Sequence, residues 1–71
     1  MTPALLREIG EALDGRWWIR RQAARRGVAA RTVERWASGA SQMPEAIPSE
    51  LVADLDAKIS ELRALRRKLR S

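Results

Sequence analysis

Arg31, Thr32, Glu34 and Arg35 crowd one short stretch of the chain, and on a helix they fall on its exposed face. Their chemistry suits the edges of base pairs. An Arg guanidinium donates two hydrogen bonds to guanine O6 and N7, a carboxylate accepts from cytosine N4, and a hydroxyl serves either purpose. Ala30, just before them, is small enough to touch a thymine methyl. Arg31 and Arg35 stand one helical turn apart, so they share a face. For Arg31 the choice lies between reading a base and gripping a phosphate, and Thr32 suits both equally. Glu34 either accepts from cytosine or holds Arg31 or Arg35 in place.

Other chemistries lack their residues. The chain has no His and no Cys, which removes the common zinc patterns and any disulfide framework. Ser38, Ser41, Ser49 and Ser60 have no general base to activate them, and there is no Gly-rich phosphate loop. The expectation is a protein that is not an enzyme, with no metal, no cofactor and no small-molecule ligand. The start of the chain lacks a positive leader, and no stretch approaches the ~18 apolar residues of a membrane span. A cytoplasmic, nucleoid-associated location without membrane contact is expected.

The elements that must position the Arg31–Arg35 face are two short helices joined by a tight turn, Trp18 to Gly39. Ala23 lets two helix backbones approach, and Gly27 tolerates the positive φ that ends the first helix. Val28 and the i, i+3 pair Val33/Trp36 anchor the second helix to a core, and Gly39 closes it. Upstream, Thr2 and Pro3 suit a helix start, and Leu5, Leu6, Ile9 and Leu13 give one apolar face ending at Gly15. Trp18 and Trp36 are expected in the core. Trp17 is assigned there more narrowly, with the rim as the alternative.

Gly39 to Pro48 reads as a loop, with Met43 and Ile47 folding back as core caps. From about Ser49 to Leu69 the pattern is one long helix. Leu55, Leu62 and Leu69 recur every seven residues, with Leu51 and Leu65 at intervening positions and Lys58 breaking that second series. The first half, Leu51 to Ile59, is expected to cover the core. The second half is expected to meet its counterpart in a homodimer, through Leu55, Ile59, Leu62, Leu65 and Leu69. The whole is an all-α bundle of about four helices forming one domain, with a core over residues 1–47 and a packing and dimerisation helix over 48–71.

The net charge of +5 is unevenly spread. Residues 1–15 carry −2, residues 16–35 carry +6, residues 36–62 carry −4 and residues 63–71 carry +5. A basic block on the segment that presents a helix to a groove is the footprint of a polyanion binder. The basic ending, RALRRKLR, suits a helix C-terminus, with a second contact to nucleic acid as the alternative.

EALDGRWW (Glu11 to Trp18), QAARRGV (Gln22 to Val28), RTVERWASG (Arg31 to Gly39) and SQMP (Ser41 to Pro44) together resemble the small lambda-repressor-like (Xre-type) helix-turn-helix family, over about the first two-thirds of the chain. The chain departs from that pattern at Gln22 and Arg26, where the motif usually buries aliphatic residues; the doubled Trp17/Trp18 offers compensating volume. The resemblance implies that Arg16, Arg20 and Arg21 meet the phosphate backbone, and Arg25 is assigned beside them; the alternative is a solvated arginine face that also pairs with acids of the first helix. The resemblance also gives Ser38, Ser41 and Gln42 phosphate contacts, although a solvated loop explains those three equally well. It further implies a stand-alone regulator of phage or mobile-element origin, including the small autoregulators encoded beside anti-CRISPR genes.

The expected function is a homodimeric, sequence-specific regulator of double-stranded DNA, a repressor or autorepressor acting at an inverted-repeat operator. Two alternatives stand beside it. One is an antitoxin-like interaction module that binds a partner protein through the last helix. The other is a single-strand or RNA binder using Arg and Trp, which requires Trp17 and at least one other Trp to be exposed.

Overall fold

The computed structural model describes residues 1–71, and every regular element in it is helical. Three short helices precede a long one: α1 (Pro3–Asp14), α2 (Trp18–Arg26), α3 (Ala30–Ser38) and α4 (Ala46–Arg70). A single 3-10 turn, Gly15–Trp17, links α1 to α2. Thr2 Oγ1 accepts from the Leu5 amide at 3.1 Å, so α1 is capped from its own sequence. Pro3 occupies the first turn, where its missing N–H costs nothing.

The turn between α2 and α3 is set by Gly27, at φ 67 and ψ 31. Its amide donates to Ala24 O at 3.3 Å, and the Val28 amide reaches back to Ala23 O at 3.0 Å. That pair of bonds is a Schellman closure, and half-buried Val28 packs beneath it. A side chain at residue 27 would have to hold a left-handed backbone conformation.

α1, α2 and α3 pack through Leu6, Trp18, Ala23, Val33, Trp36 and Ala37, and α4 closes the cluster with Ile47 and Leu51. The Trp18 indole lies flat enough on α1 that a Cβ at Gly10 would overlap its ring. Gly10 is therefore the small residue that admits the largest core side chain. Met43 packs against the cluster from the loop, as its sequence position suggests.

Four expectations need correction. Leu5 is 42% exposed, so the core face of α1 is narrower than its apolar pattern. Trp17 is 51% exposed and leaves Trp18 alone to supply the extra volume, because the 3-10 turn rotates residue 17 off the inward face. α4 begins at Ala46 rather than near Ser49, and Pro48 lies within it. A proline in the first turn forfeits no intrahelical bond, since the first four amides of a helix have no intrahelical acceptor. Finally, α4 covers the core only as far as half-buried Leu55, because Ile59 is 45% exposed.

Beyond Leu55 the long helix leaves the body, and the molecule measures 48 × 21 × 21 Å. Ile59, Leu62, Leu65 and Leu69 lie uncovered along it. No helix is long and apolar enough to cross a membrane.

Candidate nucleic-acid interface

α3 is pinned by its inner face. Val33 is fully buried, Trp36 and Ala37 nearly so, and the positions between them point outward. Arg31, Glu34 and Arg35 are exposed, while Ala30 and Thr32 are half-buried at the edge of the same face. The i, i+3, i+4 spacing of the anchors produces this division: turning α3 by one residue would bury arginine and expose Trp36.

Two of the polar groups on α3 have local partners. Arg35 Nε donates to Ser41 Oγ at 2.9 Å, and the Ser41 amide donates to Arg35 O at 3.2 Å. Ser38 Oγ donates to Arg35 O and accepts from the Ala40 amide. Ser38 and Ser41 thus order the exit of α3 and steady Arg35, whose two terminal nitrogens stay available. Glu34 forms an ion pair with neither Arg31 nor Arg35, which leaves its carboxylate and the Arg31 guanidinium both free.

The arginines of residues 16–35 divide into two sets. Arg16, Arg20, Arg21, Arg31 and Arg35 have no acidic side chain within 4.0 Å. Arg16 and Arg20 both lie over the Trp17 indole, at 4.9 and 5.7 Å from its centroid. Trp17, Arg20, Arg21 and Ala24 line one shallow open hollow. The indole holds the two cations in place without neutralising them, a contact worth about 0.5–1 kcal/mol at an exposed site. The sequence signal for this platform is only the spacing: Arg16 adjoins Trp17, and Arg20 follows it at i+3.

Arg25 and Arg26 behave differently. Arg25 meets Asp14 at 2.6 Å and Asp54 at 3.8 Å, which matches the alternative of pairing with the first helix's acids rather than the outward, unpaired setting of Arg16, Arg20 and Arg21. The Arg26 side chain is only 6% exposed; it donates to Asp54 at 2.6 Å and to Gln22 Oε1 at 2.8 Å, with Glu50 3.5 Å away. Gln22 is itself 2% exposed. Where the resembling motif buries aliphatic side chains, this chain buries an amide and a paired cation that tie α2 to α4. Replacing Asp54 alone would leave the buried Arg26 cation without its short ion pair, a costlier change than replacing both.

Of the residues assigned to an interface, those on α3 and at the start of α2 therefore lie outward and are not neutralised. The five assigned to dimerisation divide in turn: Leu55 is half covered by the body, and Ile59, Leu62, Leu65 and Leu69 are open. Comparison with protein-family models, with curated proteins and with solved structures found no match for the chain.

Proposed function

We propose that the chain is a homodimeric, sequence-specific regulator of double-stranded DNA, in which α2, the Gly27 turn and α3 act as a helix-turn-helix. The observation that carries this reading is the sorting of the arginines. Those on the inner end of α2 are neutralised by acids, while Arg16, Arg20, Arg21 and Arg31 face outward unpaired. α3 enters the major groove with Ala30, Arg31, Thr32, Glu34 and Arg35 toward base edges, and the α2 arginines grip the flanking phosphates. Repression by occupying an inverted-repeat operator is the mechanism in keeping with the phage and mobile-element regulators its motifs resemble.

Selection of bound duplexes from a random pool at near-physiological salt tests the reading. Enrichment of an inverted repeat is the expected result. Salt-sensitive binding with no enriched sequence would remove specific readout and leave only polyanion attraction.

The uncovered stripe on α4 favours a second reading, an antitoxin-like module that docks a partner protein there. Purified protein that stays monomeric at tens of micromolar would favour it over the dimer. Single-strand binding has less support, because it asks for two exposed tryptophans. Trp18 and Trp36 are 3% and 6% exposed.

A further inference from the structure

The stripe on α4 also carries information about direction. Taking Leu62 and Leu69 as a positions of a heptad makes Lys58 and Leu65 d positions, with Glu61 and Lys68 at g. Leu51 and Leu55 are taken up by the body, and half-buried Lys58 lines a hollow with Leu13, Asp14 and Arg25, so a partner helix has room only from about Lys58 outward. Within α4 the charges are segregated: four acids and Lys58 lie before residue 63, and Arg63, Arg66, Arg67, Lys68 and Arg70 follow.

We infer that a second copy of this chain covers the stripe in the antiparallel direction, with Leu62 of each copy against Leu65 of the other and Leu69 against Lys58. This rests on the dimeric part of the function proposed above and adds its orientation. Lys58 decides most of it. A parallel pair would place Lys58 against Lys58 in a layer of the seam and stack two tails of five cations side by side. The antiparallel pair sets the Lys58 stem against Leu69 and moves the tails to opposite ends, near Asp56 and Glu61 of the other copy. It also opposes the two helix dipoles rather than aligning them. One flanking pair competes: parallel helices bring Glu61 to Arg66, and antiparallel helices bring Glu61 to Lys68. Each arrangement gains one such contact per copy, so the flank does not discriminate. The occupant is a second copy because α4 complements itself when reversed, its basic end lying along the Asp56–Glu61 stretch of the other and its leucines meeting leucines.

The orientation has a consequence for DNA. The dyad falls between Leu62 and Leu65, about 12 residues from Leu51, or roughly 19 Å along the helix. The two bodies are then separated by about 38 Å along α4, close to the ~34–36 Å between successive major-groove faces.

Because the chain has no cysteine, single substitutions report orientation cleanly. Lys58→Cys and Leu69→Cys are prepared separately, and sedimentation equilibrium gives the oligomeric state of each. Under mild oxidation, neither variant is expected to link to itself, since its two copies lie about 16 Å apart, beyond the ~7 Å limit for a disulfide. An equimolar mixture, allowed to exchange, is expected to give a covalent dimer. The exposed pair Glu61→Cys and Lys68→Cys repeats the test should a stripe substitution weaken association. Self-linking of each variant in a dimer would mean parallel helices, which overturns this inference and leaves the dimer standing. A dimer in which neither pair links would place the contact elsewhere, with the same consequence. A monomer at tens of micromolar would overturn both the orientation and the dimeric reading.

Discussion

The two ends of α2 carry the same residue type to opposite purposes. At its C-terminal end Arg25 and Arg26 are enclosed by Asp14, Glu50 and Asp54, and they join α2 to α1 and α4. At its N-terminal end Arg20 and Arg21, with Arg16 just before the helix, have no acid within reach and gather around Trp17. What separates them is the neighbour that the fold supplies. Charge that the fold neutralises holds the molecule together. Charge that it leaves alone is available for a partner. A count of arginines alone treats the two ends as equal.

The contrast is sharpest for Arg26→Ala. Removing this cation leaves Gln22 without its partner and Asp54 with only Arg25 at 3.8 Å, and a loss of about 2–3 kcal/mol in unfolding free energy is expected, at the lower edge of the range for breaking a buried pair. Affinity of the folded fraction for DNA should not change. Denaturant titration beside DNA binding checks both halves; an unchanged midpoint would mean that Arg26 is not structural. Gly10→Ala tests the packing beneath the same region. The added methyl would overlap the Trp18 ring, and a loss of about 1–3 kcal/mol is expected, read as a lower urea midpoint.

The outer end should respond in the reverse sense. Arg20→Ala is expected to leave the urea midpoint within about 0.5 kcal/mol of wild type, as for exposed sites. It should weaken binding to cognate and random duplexes alike and lower the slope of log affinity against log salt by about one. A loss confined to the cognate duplex would move Arg20 from phosphate gripping to base reading. Trp17→Ala should produce a smaller version of the same uniform loss, because the indole only holds Arg16 and Arg20 in position. A large drop in stability instead would return Trp17 to the core.

The local signals in the sequence were sufficient for most of the framework. Thr2-Pro3, Gly15, Gly27 and Gly39 mark helix ends through backbone chemistry that needs no distant partner, and the Val33/Trp36 spacing fixes which side of α3 faces inward. The features that escaped depend on residues far apart in the chain. Arg26 meets Asp54 across 28 positions. The only hint was an i, i+4 pair on each helix, Gln22/Arg26 and Glu50/Asp54, and nothing local says that the two pairs meet. The choice between core and rim for Trp17 is not legible for a related reason: whether residue 17 lies in α2 or in a 3-10 turn before it changes its direction, and both conformations suit the sequence. The start of α4 was placed late because Pro48 reads as a breaker, although the first helical turn tolerates it.

The central claim is that the outward face of α3 reads base pairs, and Arg31 is its most direct test. Duplex selection from the same random pool would be run with wild type and with Arg31→Ala. One base pair per half-site is expected to lose its preference, with discrimination there falling by about 1–3 kcal/mol while the remaining positions keep theirs. An unchanged preference at every position, with only a uniform loss of affinity, would contradict it and assign Arg31 to the phosphate backbone.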